Sequence, residues 1–184
     1  KDAISNVDSL IAAIGDDVTL DSESAVKAAR DAYDALPSEL RAKVSDYSKL
    51  TAAEAKLAQQ KAAVSNVEKL IDDIGDDVTL ASESAIKAAR DAYDALSSQL
   101  QAKVSNYSKL TAAEAKLAQL RQQEKDAISN VEKLIDAIGD DVTLASESTI
   151  KAARDAYDAL SSELQAKVSN YSKLTAAEAK LAAL

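Results

Sequence analysis

Apolar side chains recur along this chain at helical spacing. Ile4, Val7, Ile11 and Ile14 stand three, four and three residues apart with Leu10 beside them, which places one apolar stripe on an opening helix. Gly15 comes directly after the last of these positions, where a left-handed C-cap is expected, and Asp16-Asp17 continue the turn. Val18 and Leu20 are apolar residues in the connection and are expected to plug the end of a bundle. A second helix starts around Thr19 to Ser22, where a hydroxyl or Asp21 can accept hydrogen bonds from first-turn amides. Val26, Ala29, Tyr33 and Leu36 then repeat the 3-4-3 register. Lys27 with Asp31, and Arg30 with Asp34, sit four apart on its outer face and read as solvated pairs. Pro37 breaks the helix and introduces a short one carrying Leu40, Val44 and Tyr47. In Leu50-Thr51-Ala52-Ala53-Glu54, Thr51 can cap a third long helix while Glu54 reaches back to the cap amide, a box that recurs at Thr111 with Glu114 and at Thr175 with Glu178.

This pattern is written three times. Residues 1–60, 61–120 and 125–184 align without a gap, the second and third copies differ at six positions, and only Arg121-Gln122-Gln123-Glu124 stands outside the blocks. The expected domains are therefore 1–60, 61–124 (with 121–124 an extra helical turn) and 125–184. Between Thr51 and Ile74 there is no Gly, no Pro and no second cap, so the last helix of one block should run directly into the first helix of the next. Positions 50, 53, 57, 60, 64, 67, 71 and 74 keep a heptad through that stretch, apolar except at Gln60. The second junction is four residues longer, which adds about 6 Å and about 40° of rotation. The fold class expected is all-α: a tandem array of three small three-helix bundles, each with an extra short helix, joined by continuous shared helices into an elongated rod. At about 30 to 40 Å of helix rise per block, its length would be about 90 to 120 Å.

Composition narrows the chemistry. There is no Cys and no His, which removes disulfides, thiolate nucleophiles, Ser-His pairs and the usual zinc, haem and iron–sulfur ligand sets. A net charge of −9 without a basic stripe disfavours nucleic acid and anionic membrane as partners. No apolar run is long enough to span a bilayer, and no export signal opens these residues. With no Met at any position, the chain reads as a fragment, a processed product or an engineered array. No catalytic residue, cofactor, metal or small-molecule substrate is expected. Asp16-Asp17 with Asp21 and Glu23 match no EF-hand spacing, and Asp21 becomes Ala81 and Ala145 in the other copies, so they read as turn acids. Asp31 and Asp34 beside Tyr33 lie on an exposed helix face that offers no cleft in which two carboxyl pKa values could be split.

The six tyrosines are the only aromatic residues. Tyr33, on the core stripe, is expected to pack. Tyr47, Tyr107 and Tyr171 stand near the turn before the third helix, half-buried with an exposed hydroxyl, and are the candidate partner contacts. Asn106-Tyr107-Ser108 and Asn170-Tyr171-Ser172 fit the N-glycosylation pattern, which Asp46 breaks in the first copy.

The strings Val18-Thr19-Leu20, Ala28-Ala29-Arg30-Asp31-Ala32-Tyr33-Asp34-Ala35-Leu36, Val44-Ser45-Asp46-Tyr47 and Leu50-Thr51-Ala52-Ala53-Glu54-Ala55 resemble small helical repeats of secreted and wall-attached proteins of Gram-positive bacteria. The near-identity of the copies is also similar to an engineered consensus array with shared helices. The family resemblance implies a cell-surface or extracellular setting, flanking domains of the same polypeptide as neighbours, and a spacing role. The function expected is thus non-catalytic: a rigid, monomeric spacer or stalk. The alternative is a repetitive binding module whose three equivalent faces hold a host protein or wall glycan with avidity.

Overall fold

The computed structural model describes residues 2–184, and every regular element among them is helical. The helices are α1 (Asp2–Ala13), α2 (Glu23–Asp34), α3 (Ser38–Arg41), α4 (Tyr47–Asp72), α5 (Glu83–Asp94), α6 (Ser98–Gln101), α7 (Tyr107–Asp136), α8 (Glu147–Asp158), α9 (Ser162–Gln165) and α10 (Tyr171–Ala182). Single 3-10 turns at Leu20–Ser22, Leu80–Ser82 and Leu144–Ser146 lead into α2, α5 and α8.

Local chemistry accounts for most of the boundaries. The first stripe buries Val7 and Ile11 on α1, and Ile14 just beyond it. Gly15 then turns the chain at φ +77°, with Gly75 and Gly139 alike at +78° and +71°. A Cβ at these positions would meet nothing within 4 Å, so backbone conformation and not space demands glycine. The Thr19 amide donates to Ser22 Oγ at 3.2 Å, which fixes the turn into α2. At the far end of α2, the orphan carbonyls are taken up by the short helix: Arg41 donates to the Leu36 and Asp34 carbonyls, and Gln101 and Gln165 donate to the Tyr93 and Tyr157 carbonyls at 3.1 Å each.

Two expectations need correction. The third long helix starts at Tyr47, not at Thr51, and the Thr51 box does not form. The Thr51 hydroxyl donates back to the Ser48 carbonyl at 3.0 Å, as Thr111 does to Ser108 and Thr175 to Ser172. The amides ahead of the helix are met instead by carboxylates from the opening helix of the same repeat. Asp8 accepts from the Ser45 amide at 3.1 Å, while Glu68 and Glu132 each accept from both the amide and the hydroxyl of Ser105 and Ser169. The short helix is also a single turn, Ser38–Arg41. Val44 lies in the turn after it, and Tyr47 opens α4.

Helix continuity across the repeat boundaries is as expected. Residues 53–70 and 113–134 are helical throughout, α4 is 26 residues long and α7 is 30. The difference is the four residues 121–124. Along α4 the heptad positions Leu50, Ala53, Leu57, Val64, Val67 and Ile71 are buried, as is Ile74 just beyond it.

The chain forms two compact units, 2–77 with 82–113 and 78–81 with 114–184. In the first, the core of repeat one gathers Val7, Ile11, Val26, Ala29, Leu50 and Leu57 with their neighbours. Repeat two is fastened to it through α4. Lys103 of repeat two, just past α6, reaches Asp21 of repeat one at 2.7 Å, while within repeat one Gln60 Nε2 donates to the Val18 carbonyl at 3.0 Å. In the second unit, Val131, Ile135, Ile138, Ile150, Ala153, Val168, Leu174 and Ala177 form the core of repeat three. There, Lys167 reaches Glu124 in the inserted turn at 3.5 Å.

Candidate functional site

The chemistry that recurs in every repeat is a cation laid across two tyrosine rings. Tyr33 on α2 and Tyr47 at the start of α4 stack with centroids 4.4 Å apart and planes 19° from parallel. Tyr93 with Tyr107 and Tyr157 with Tyr171 do the same at 4.4 and 4.3 Å. The Arg30 guanidinium lies 5.4 and 5.5 Å from the two ring centroids, and Arg90 and Arg154 take equivalent positions. Arg30 Nε and a terminal nitrogen then donate to both oxygens of Glu54 at 2.6 and 2.5 Å. Arg154 holds Glu178 with the same distances, and it also donates to the Tyr171 hydroxyl at 3.4 Å.

Helical geometry produces this cluster. Arg30 and Tyr33 are three apart on α2 and Tyr47 and Glu54 are seven apart on α4, so each pair occupies one face of its helix and the two faces meet. Glu54 bonding raises the Arg30 pKa above its ordinary value, and Glu178 does the same for Arg154. The Arg154 fork in turn holds the Glu178 carboxyl below the usual range. Arg30 to Asp34, the pair anticipated on the outer face, is only 3.5 Å and secondary.

The three candidate tyrosines are thus brought together not with one another but each with its own partner ring. Tyr47 is 38% exposed, and Tyr107 and Tyr171 are half-buried. Sequence reasoning missed the Arg–Glu arm, because the helical (i, i+4) pairing with Asp34 was the visible signal. The constant separation of 24 residues between Arg30 and Glu54, and between Arg154 and Glu178, is the trace it left in the sequence.

The remaining candidates disperse. Asp16 faces Lys49 at 3.1 Å, Asp17 faces Lys56 at 3.7 Å, Asp21 faces Lys103 and Glu23 faces Lys61, four acids with four separate partners. Among the described residues no three His, Cys, Asp or Glu side chains are placed to hold a metal ion, and no helix is long and apolar enough to cross a membrane. A groove of about 320 Å³ between α2 and α4 has an apolar floor of Val26, Leu57 and Ala58. Its two carboxylates are Glu23 and Glu54, ion-paired with Lys61 and Arg30 respectively. The Asn106 and Asn170 amide nitrogens are engaged, with the Glu68 carbonyl and Asp72 carboxylate and with the Glu132 carbonyl and Asp136 carboxylate respectively, all within 3.0 Å.

Hydrogen bonds to Ser105 and Ser169, the hydroxyl first and the amide second, lower the pKa of Glu68 and Glu132. These carboxylates fasten the opening helix of a repeat to the start of its third long helix. No known protein family, no curated protein and no solved structure matches the chain.

Proposed function

We propose that this chain is a non-catalytic spacer: three helical modules in series, forming a stiff rod that holds what is attached at either end a set distance apart. The observation that carries this reading is the absence of any break in α4 and α7 across 53–70 and 113–134. A joint without Gly, Pro or coil bends only by deforming a hydrogen-bonded helix, whereas a flexible tether is built from residues that leave the backbone free. The lateral contact in the first unit, Asp21 with Lys103, acts in the same direction by resisting a swing about the shared helix. By its resemblance to Gram-positive surface repeats, the rod stands outside the cell between other domains of its polypeptide, or it is an engineered scaffold of the same design.

A binding module with avidity would offer one exposed patch per repeat. Among the described residues the large exposed apolar side chains are Tyr47, Leu80, Leu144 and Leu184, and none of these positions is exposed in all three repeats. The recurring Arg–Tyr–Tyr cluster is a further argument for the spacer. Its polar groups are turned on one another, and it pins α2 to the helix that carries the chain forward.

Because the chain has no Cys, introduced pairs can be spin-labelled cleanly. Ala42→Cys with Ala102→Cys brackets the first junction and Ala102→Cys with Ala166→Cys the second, all at exposed positions. Pulsed dipolar spectroscopy should give a narrow distance distribution for each pair. Adding Ala62→Pro with Ala63→Gly should broaden the first and leave the second alone. Broad distributions in the parent pairs would overturn the spacer reading.

A further inference from the structure

An oxidant that meets this chain finds one kind of target. The side chains that give up electrons readily are Cys, Met, Trp, Tyr and His, and of these only the six tyrosines are present. The fold sorts all six into the three stacked couples, Tyr33 with Tyr47, Tyr93 with Tyr107 and Tyr157 with Tyr171. Tyr47 is 38% exposed and the other five are half-buried, so water can take up the phenol protons in every couple. Stacking is also the geometry in which two such rings react. The odd electron of a phenoxyl radical occupies lobes above and below the ring, on the carbons beside the oxygen-bearing one as well as on oxygen. Two radicals therefore bond face to face. With centroids 4.3 to 4.4 Å apart and planes 17° to 21° from parallel, facing carbons meet at about 3.5 to 4 Å, close to the separation of about 3 to 3.5 Å from which a bond forms with little further loss of freedom.

We propose that each couple is an oxidative cross-linking site, at which a one-electron oxidant fed by a peroxide joins the two rings as dityrosine. The oxidant removes one electron from each phenol, and the two phenol protons pass to water. The odd electrons then pair in a new carbon–carbon bond between the ring positions ortho to oxygen. Each bonded carbon next loses its hydrogen as a proton while a proton returns to each oxygen, which restores two phenols. Per link the couple gives up two electrons and two protons, and the electrons break the O–O bond of one peroxide. Tyr47, Tyr107 and Tyr171 each open their helix, so one ring of every couple has room to turn from the stack into the joined pair. The product ties the second helix of a repeat to its third, a covalent brace in a chain that cannot form disulfides. The inference goes beyond the spacer reading and does not depend on it, since flexibly joined modules would carry the same couples.

The test is photo-oxidation of the folded chain, dilute enough to disfavour encounters between molecules, with a ruthenium complex and persulfate, followed by intact mass and by mapping of linked peptides. The monomer should lose two hydrogens per link, six at completion, with Tyr33–Tyr47, Tyr93–Tyr107 and Tyr157–Tyr171 as the linked pairs. Its urea midpoint should rise. Tyr47→Phe keeps a ring in the stack and should stop the loss at four hydrogens. Adding Lys43→Tyr to that variant restores the number of tyrosines at an exposed position nearer to Tyr33 in sequence but outside the couple, since the equivalent lysines point to Asp21 and Glu124. The loss should remain at four. Oxygen added to the tyrosines without links would overturn the proposal. So would covalent dimers in place of links within one molecule, or a Lys43→Tyr ring that joins Tyr33 as readily as Tyr47 does.

Discussion

Replacing Arg154 with methionine, which keeps the length of the apolar stem and removes the fork, should loosen repeat three through one identifiable contact. Arg154 makes two hydrogen bonds to Glu178, at 2.6 and 2.5 Å, and lies over two rings at 5.5 and 5.4 Å. A pair of hydrogen bonds between charged groups can contribute about 1.5 to 3 kcal/mol when shielded. Here the two side chains are 25% and 32% exposed, so screening reduces the expected Arg154–Glu178 coupling to about 1 to 2 kcal/mol. The ring contacts add about 0.5 to 1 kcal/mol, which brings the whole cost of Arg154→Met to about 1.5 to 3 kcal/mol. The assay is a double-mutant cycle of Arg154→Met and Glu178→Gln, read from urea unfolding at pH 7 and again near pH 2. The sign of the pH effect follows from the direction of the shift. The Glu178 pKa is lowered from 4.5 in the folded state. Its contribution is therefore fully present above that value and is lost as pH falls through the lower, folded one. The coupling should be present at pH 7 and largely gone in acid. A coupling below about 0.5 kcal/mol at pH 7, the range in which independent sites add, would refute the assignment of this cluster as a clamp.

Further outcomes can be checked with the same tools. Gly75→Ala should lower stability by about 1 to 2 kcal/mol through its left-handed backbone alone, and Gly75→Asn by less, as measured by urea midpoint. Ser105→Ala removes the hydroxyl whose hydrogen bond does most to lower the Glu68 pKa, so carboxyl NMR titration should find Glu68 moved up toward 4.5, with the acid side of the stability profile correspondingly flatter. An unmoved Glu68 would place the cause elsewhere.

What could be read from the sequence was whatever depends on neighbours along the chain. The 3-4-3 stripes, the glycine stops and the unbroken text from Thr51 to Ile74 each express backbone geometry within a few residues, and each found its counterpart in the folded chain. The four-residue insertion even fixed the difference in length between α4 and α7. Long-range partners were hidden. Thr51 and Glu54 carry the spacing of a capping box, yet Glu54 is claimed by Arg30, 24 residues away, and the helix begins a turn earlier. That earlier start is possible because Asp8, and Glu68 and Glu132 in the other copies, accept the amides that a local cap would otherwise serve. The stacking of Tyr47 on Tyr33 was likewise invisible, because stripe positions show that a residue faces inward without showing which residue it meets. The same holds for Gln60, the one polar heptad position, whose amide turned out to bond the Val18 carbonyl.

The pairing of the six tyrosines also fixes how the molecule meets ultraviolet light. All of its aromatic chromophores sit in three face-to-face couples, and each couple joins the second helix of a repeat to its third. Near-ultraviolet dichroism and intrinsic emission therefore report whether those two helices are docked, while the far-ultraviolet signal reports how much helix exists. Comparing the two during denaturation distinguishes helices that come apart from helices that melt, with no dye and no added residue.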